Sequence, residues 1–215
     1  MEEVIRLSFF KNSTLMNNGI NHYCKISNGQ VILDGKVLFT NKEENFDDFI
    51  KSVYKHFEMD YPKFYKMDPL CKLSIVAASL LLDNSENEID NDMALLLSNK
   101  SSCIDVDLKH QSTIQDKDAY YPSPANFVYT LPNIALGEIS IKYKLRSENS
   151  FFIFENFNPE FMVDYANSLI HLNKASSVLC AWVEVHKDYY NAFVYKVSPN
   201  GKMEHTKEHL KTLIE

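Results

Sequence analysis

The pattern of hydrophobic and polar positions predicts alternating strands and helices. Residues 22–39 alternate apolar and polar side chains around two turn signals, Asn28-Gly29 and Asp34-Gly35, and therefore predict short strands. The run over residues 93–97, MALLL, is typical of a strand covered on both faces. Compact apolar runs predict the remaining strands at residues 150–154, 177–185 and 191–197.

Helical periodicity occupies much of the sequence between these strands. Residues 46–57 carry one apolar stripe behind an N-terminal cap at Asn45. Asp68-Pro69 opens a second helix that is apolar nearly all round and should be buried. Asn158-Pro159 opens a third helix, and a short charged helix is expected from about His205. The buried side of the third helix is predicted to consist of Phe161, Met162, Tyr165, Leu169 and Leu172.

The order of these elements predicts a single layered α/β domain over residues 20–215, with a mostly parallel sheet. The polar, asparagine-rich residues 1–19 are expected to form an N-terminal arm. Residues 98–118 are polar and irregular, which indicates a surface excursion. Residues 123–149 are expected to form a loop, a helix and a turn.

The composition excludes several classes of protein. With 45% hydrophobic and 13% aromatic residues, the chain can fill a sizeable core. A net charge of −7 without clustered Lys and Arg argues against nucleic-acid binding. The sequence contains no run of about 18 apolar residues, so no membrane span is expected. The N-terminus lacks the basic-then-apolar order of a secretory signal, which predicts a cytoplasmic protein.

Few residues indicate chemistry directly. The sequence lacks a phosphate-binding glycine loop, a dinucleotide fingerprint, a zinc-protease helix and a nucleophile elbow. His205 and His209 have the i, i+4 spacing of metal ligands, but a solvated terminal helix is the favoured interpretation. His186, after a strand, is expected to be a surface residue, and the four carboxylates of residues 83–90 a solvated loop. No metal and no cofactor are therefore predicted.

The four cysteines, Cys24, Cys71, Cys103 and Cys180, are far apart in the sequence and form no CxxC pair. In a chain of this size and expected compartment they should be reduced and buried. A disulfide framework is not expected.

One segment, residues 131–149 (LPNIALGEISIKYKLRSEN), resembles the N-terminal half of the β-ketoacyl synthases. In that family a run of the form P-N-x-x-x-G-x-I-S-I-x-x-x-L-x-G-P-N precedes the nucleophile strand. Ser147 and Glu148 replace its last Gly-Pro. The matching positions are Pro132, Asn133, Gly137, Ile139, Ser140, Ile141, Leu145 and Asn149.

The resemblance extends to both sides of that segment. Lys66, Met67 and Asp68 stand where the family has R-M-D. Ser177 to Glu184 resemble the family's strand that ends in G-G-A-E, here AWVE. The resemblance implies a thiolase-like layered fold, N-terminal half only, with a mostly parallel sheet and helices on both faces.

The family's nucleophilic cysteine is replaced. Counting from Asn149, Asn156 occupies its position, and an amide cannot act as a thiolate nucleophile. The family's two catalytic histidines lie in its second half and have no counterpart here. The resemblance therefore implies a subunit without independent condensing activity.

Ketosynthase-like chains without the cysteine act in the family as chain-length factors. This sequence is most similar to the short group that accompanies aryl polyene and flexirubin-type synthases. The resemblance implies a heterodimer with a full-length β-ketoacyl synthase, and an acyl carrier protein as an indirect partner, in polyketide or fatty-acid-like biosynthesis.

The resemblance also assigns residues to two roles. The family dimerises through the strand before the nucleophile, here Ser150, Phe151, Phe152, Ile153 and Phe154. This interface strand is expected to be buried on both faces. Asn126, Phe127 and Thr130, the tunnel residues, align with the loop that enters the partner's acyl pocket. They are expected to limit product length by their bulk.

Three alternatives remain open. In the first, the chain is an enzyme that decarboxylates malonyl-carrier protein through the Asn156 amide, which would hydrogen-bond a developing enolate. In the second, the chain is a stand-alone module that binds acyl groups or carrier protein. In the third, the tunnel residues only pack the core of this domain.

Overall fold

The computed structural model describes residues 18–42, 45–84, 90–199 and 201–215. Of the predicted arm, residues 1–17 lie outside the described residues, and Asn18 already belongs to the first strand. The acidic segment over residues 83–90 lies mostly outside them as well, at residues 85–89.

The described residues form one eight-stranded sheet. Its order is β3-β2-β1-β7-β6-β4-β5, with β8 beside β1. The strands are β1 (Asn18–Ser27), β2 (Gln30–Leu33), β3 (Lys36–Thr40), β4 (Met93–Asn99), β5 (Asn149–Ile153), β6 (Ser177–His186), β7 (Tyr189–Pro199) and β8 (Met203–Glu204).

Both predicted turns near the N-terminus are confirmed. Asn28 and Gly29 have φ values of 49° and 72°, and Asp34 and Gly35 have 48° and 79°. Two consecutive residues with positive φ are typical of the two-residue turns that join β-hairpins. A Cβ on Gly29 would lie 2.3 Å from the carbonyl oxygen of Asn41, so glycine is required there.

The prediction of a mostly parallel sheet is wrong. Within the described residues only β4 pairs in parallel, with β5 and with β6, whereas all other pairings are antiparallel. Tight turns join β1 to β2, β2 to β3 and β6 to β7, and a tight turn can only connect antiparallel strands. The layered α/β class is confirmed, with a mixed sheet.

Seven α-helices and one 3-10 helix accompany the described strands. The predicted cap at Asn45 is confirmed, because its side chain accepts a hydrogen bond from the amide of Asp48. Asn158, at the predicted start of the third helix, likewise accepts a hydrogen bond from the amide of Phe161. The α-helices are α1 (Phe46–His56), α2 (Pro69–Leu82), α3 (Ile104–Gln111), α4 (Pro124–Val128), α5 (Ile134–Tyr143), α6 (Pro159–His171) and α7 (Lys207–Ile214), and the 3-10 helix is Pro62–Lys66.

Three helix predictions need correction. Residues 98–118 contain α3, whose short, weakly amphipathic sequence gives little periodic signal. Leu172 is 67% exposed because α6 ends at His171, while Ala166 and Ile170 occupy the core positions instead. The last helix begins at Lys207, because Thr206 and not His205 provides its cap.

The helices cover both faces of the sheet. On one face, α1, α2 and α5 pack against Leu95 and Leu97 of β4 and against β6. On the other face, α6 and α7 pack against Ala94 and Leu96 of β4. Successive residues of β4 thus point to opposite cores, as expected for a strand covered on both sides. No described helix is both long and apolar enough to cross a membrane.

Candidate functional site

Strand β5 forms one edge of the sheet. Among the described strands it pairs with β4 alone, from Leu95 opposite Asn149 to Asn99 opposite Ile153. Its Phe152 ring contacts Phe161 of α6 at 4.7 Å between centroids, and Phe151 packs against the opposite core. Ile153 is 51% exposed. Within this chain the interface strand is therefore half-buried.

The side of β5 that faces away from β4 pairs with no strand in the described part of the chain. The amide of Phe154 donates to the Asn99 carbonyl at 2.9 Å, and the Glu148 carbonyl accepts from Leu95 at 2.9 Å, so the even-numbered residues face β4. Because successive residues of a strand direct their backbone groups to opposite sides, the N–H and C=O groups of Phe151 and Ile153 point away from β4. An open edge of this kind is a template for pairing with another chain.

Asn156 lies at the bend that links β5 to α6. It is exposed and stands two residues before Asn158, the cap of α6. A pocket of about 430 Å³ surrounds this bend, and α7 supplies Lys207 and Lys211 to its wall. Neither a cysteine nor a histidine is among the described residues that line it. The pocket therefore offers carboxylates, amides and ammonium groups, but no nucleophile–base pair of the Cys–His type.

The tunnel residues lie on and directly after α4. Phe127 is 59% exposed, with its ring 5.5 Å from the ring of His110. Asn126 is half-buried and lines a cavity of about 300 Å³ between α2, α3 and α4. The Thr130 hydroxyl donates to the Phe127 carbonyl at 2.7 Å. None of the three belongs to a core cluster of this chain.

Apolar exposure is concentrated around the same segment. The stretch from α3 to the residue after Thr130 has six large hydrophobic side chains exposed besides Phe127. They are Ile104, Leu108, Tyr120, Tyr121, Val128 and Leu131. Exposed apolar patches on soluble proteins commonly mark interaction sites.

The turn between β4 and α3 is fixed to the end of β6. The Glu184 carboxylate accepts hydrogen bonds from the amides of Lys100 at 2.7 Å and Ser101 at 3.1 Å. Asp105 accepts from His186 Nδ1 at 2.9 Å and from the Lys187 amide at 2.7 Å. This arrangement gives Glu184 and His186 structural roles, which sequence reasoning did not identify.

Cys103 makes a contact that the sequence did not indicate. Its thiol donates to the Thr130 carbonyl at 2.9 Å, although the two residues are far apart in sequence. Burial and the neighbouring Asp107 carboxylate raise the pKa of Cys103, which keeps the proton on sulfur. All four cysteines are free and buried, as predicted.

A buried carboxylate, also missed from the sequence, ties α5 to the 3-10 helix. Glu138 accepts a hydrogen bond from the Tyr61 hydroxyl at 2.7 Å and forms an ion pair with Lys63 at 3.0 Å. Its neighbours compensate the buried charge, which would otherwise destabilise the fold. Glu138 lies in the segment that carries the family resemblance.

The two C-terminal histidines do not form a pair. His205 precedes α7 and is buried against Tyr195, with ring centroids 5.7 Å apart. The interpretation of a solvated His205 is therefore wrong, and burial lowers the pKa of His205 to about 4, so that its imidazole is neutral. His209 bonds to the Glu204 carbonyl at 3.0 Å. No group of three metal-binding side chains occurs in the described part of the chain.

Sequence comparison found no match: no protein-family model and no curated protein matches the chain. Structural comparison did find neighbours. The ishigamide ketosynthase/chain length factor superposes with a TM-score of 0.66 at 14% identity, covering 86% of this chain and 62% of that one. The chain thus spans somewhat less than two thirds of that neighbour.

Two further neighbours have similar folds. The complex of a ketosynthase (ApeO) with its chain length factor (ApeC) from Xenorhabdus doucetiae gives a TM-score of 0.59 at 13% identity, covering 86% of this chain and 80% of the matched chain. A β-ketoacyl synthase from Burkholderia phymatum gives 0.56 at 12% identity, covering 92% and 60%. The chain therefore has the thiolase-like fold of ketosynthases and chain-length factors.

Proposed function

We propose that this chain is a non-catalytic, chain-length-factor-like subunit that pairs with an active β-ketoacyl synthase and shapes its acyl tunnel. The observation that carries the proposal is the open edge of β5, directly before Asn156. The proposed assembly works in the cytoplasm on polyketide, aryl polyene, flexirubin-type or fatty-acid-like products. An acyl carrier protein would deliver substrates to the ketosynthase partner.

The absence of catalysis is inferred from residue 156. If the chain follows the family pattern, Asn156 stands at the nucleophile's position, and its amide cannot form a thioester. The surrounding pocket is polar and lined by Glu155, Glu160, Lys207 and Lys211. This lining supports a site without acyl transfer chemistry.

Pairing with a ketosynthase is supported by the open strand and by the neighbours. Two of the solved neighbours are described as a ketosynthase with its chain length factor, and a third as a ketosynthase in complex with its acyl-carrier protein. The backbone groups of Phe151 and Ile153, which point away from β4, would supply the pairing edge. The match to the Xenorhabdus complex covers 80% of the matched chain.

A role in length control is supported by the exposure of Phe127. A large aromatic side chain that is 59% exposed and outside both cores is available to a partner surface. The half-buried Asn126 and Thr130 flank it. In the proposed complex these side chains would form one wall of the acyl tunnel and limit the length of the product.

We expect no covalent acyl loading of this chain. The isolated chain and the co-expressed complex are each incubated with a reactive acyl-carrier protein and analysed by intact-mass measurement. The isolated chain should carry no acyl adduct, and in the complex the adduct should be on the ketosynthase alone. A stoichiometric adduct on this chain would contradict the non-catalytic assignment. Malonyl-carrier-protein decarboxylation by the isolated chain that is lost in Asn156→Ala would instead establish the decarboxylase alternative.

A further inference from the structure

We propose that Cys103 is a positioning residue for the chain-length loop, defined here as residues 126–130. Its thiol holds the loop against the β4–α3 turn and thereby sets how far Phe127 projects. The inference rests on the proposed function, because it assigns a second residue to the length control proposed for Phe127. Cys103 is not a tunnel residue itself.

The contacts form a short chain from Cys103 to Phe127. The Cys103 thiol, in a residue that is 6% exposed, donates to the Thr130 carbonyl at 2.9 Å. Thr130 in turn donates to the Phe127 carbonyl twice, from its amide at 3.1 Å and from its hydroxyl at 2.7 Å. The backbone position of Phe127 is thus linked to a buried sulfur through a single residue.

The side of the contact that bears Cys103 is rigid. Asn99 and Ser102 form two hydrogen bonds with each other. The Asn99 side-chain amide donates to the Ser102 carbonyl at 2.8 Å, and the Ser102 backbone amide donates to Asn99 Oδ1 at 3.0 Å. Glu184 accepts from the two residues between them, Lys100 and Ser101. The sulfur therefore lies on a turn that is fixed from the end of β6.

The side that bears Phe127 packs on the core mainly through Tyr129, which is partly buried against the core beneath α1, α2 and α5. Helix α4 has five residues, and none of them is buried. A helix this short is not stable by itself and takes its position from tertiary contacts. The Phe127 ring, which is 59% exposed, contacts the half-buried His110 ring at 5.5 Å between centroids. The thiol hydrogen bond at Thr130 therefore adds a restraint at the end of the loop, beside the packing of Tyr129.

The protonation state of Cys103 suits this role. The thiol acts as a donor only while it keeps its proton, and burial raises its pKa. The Asp107 carboxylate oxygens lie 3.7 Å from the sulfur, farther away than the Thr130 carbonyl. The hydrogen bond to the loop is thus the shorter of the competing contacts.

The test compares product distributions of the reconstituted complex with the ketosynthase. In Cys103→Ala, products of the wrong length should rise about fivefold, the factor that corresponds to one hydrogen bond of about 1 kcal/mol, at an unchanged total rate. Cys103→Ser, which keeps a donor, should restore most of the distribution. Cys103→Val, which fills the space without a donor, should behave like alanine. Cys180→Ala, in the core beneath α6 and α7, is the control and should leave the distribution unchanged.

Two outcomes overturn the inference, and they are distinguishable. If Phe127→Ala alters product length but Cys103→Ala and Cys103→Val do not, the positioning role of Cys103 is wrong while the proposed function stands. If Phe127→Ala also leaves the products unchanged in an intact complex, length control by this loop fails, and the inference fails with it.

Discussion

Replacing Ile153 by proline should abolish the complex with the ketosynthase and leave this chain folded. Ile153 is 51% exposed, and its amide faces away from β4, so proline removes no hydrogen bond from the ladder inside the chain. Proline is tolerated on edge strands for this reason. Across the proposed interface it removes a donor and introduces a ring where the partner's strand would lie. We expect co-purification to fall to background.

The control for this variant is Ile153→Thr, which keeps the amide and the β-branched shape. It should retain the complex. Phe152→Asp is a less specific probe, because Phe152 also packs on Phe161 and Tyr165 of its own α6. If Ile153→Pro is folded by circular dichroism and still co-purifies at the wild-type ratio, β5 is not the pairing strand.

Replacing Phe127 by alanine should lengthen the products of the complex. A hydrophobic pocket discriminates a single methylene by roughly tenfold or more, so loss of a ring should move the main product by about one two-carbon unit. Thr130→Trp adds bulk beside it and should shorten the products. Mass spectrometry of the released chains measures both shifts.

Because Phe127 is exposed, its replacement should change product length without destabilising the chain. Its removal leaves no cavity in either core, so the thermal stability of the chain should change little. Leu172→Ala, which removes another exposed apolar side chain at the end of α6, is the matched control and should leave product length unchanged. An unaltered product in both Phe127→Ala and Thr130→Trp, with the complex intact, would end the tunnel assignment.

Local signals in the sequence predicted most of the elements. Asn28-Gly29 and Asp34-Gly35 specify two tight hairpin turns by their backbone preferences, and Asn45 caps the helix it was expected to cap. The apolar run of β4 correctly predicted a strand covered on both faces. These features depend on residues close together in the chain, which is why the sequence alone reveals them.

Features that depend on distant residues escaped prediction. β7 pairs antiparallel with both β1 and β6, whereas β6 is parallel to β4. These directions depend on which strands become neighbours in the sheet, and hydrophobic periodicity does not reveal the neighbours of a strand. The Cys103–Thr130 bond and the anchoring of Lys100 and Ser101 by Glu184 join residues from different elements. His205 looked solvent-exposed in the sequence but is covered by Tyr195 in the fold.

The candidate site was predicted only as far as the resemblance reaches. The positions of residues 150–154 and of Asn156 were assigned by counting along the segment that resembles the family. In the structure residues 150–153 lie in the edge strand β5, and Asn156 lies at the bend that follows it. The exposed hydrophobic residues around Phe127 have no sequence pattern that separates them from core residues, because an apolar side chain in an irregular segment gives no periodic signal.

Size-exclusion chromatography with light scattering on the co-expressed pair tests whether this chain binds a ketosynthase. We expect one peak that contains this chain and a complete β-ketoacyl synthase in equal amounts, with a molar mass that equals the sum of the two or a multiple of it. The contradicting result is a separate, well-behaved peak at the 24.9 kDa of this chain alone, with the ketosynthase eluting without it at micromolar concentration.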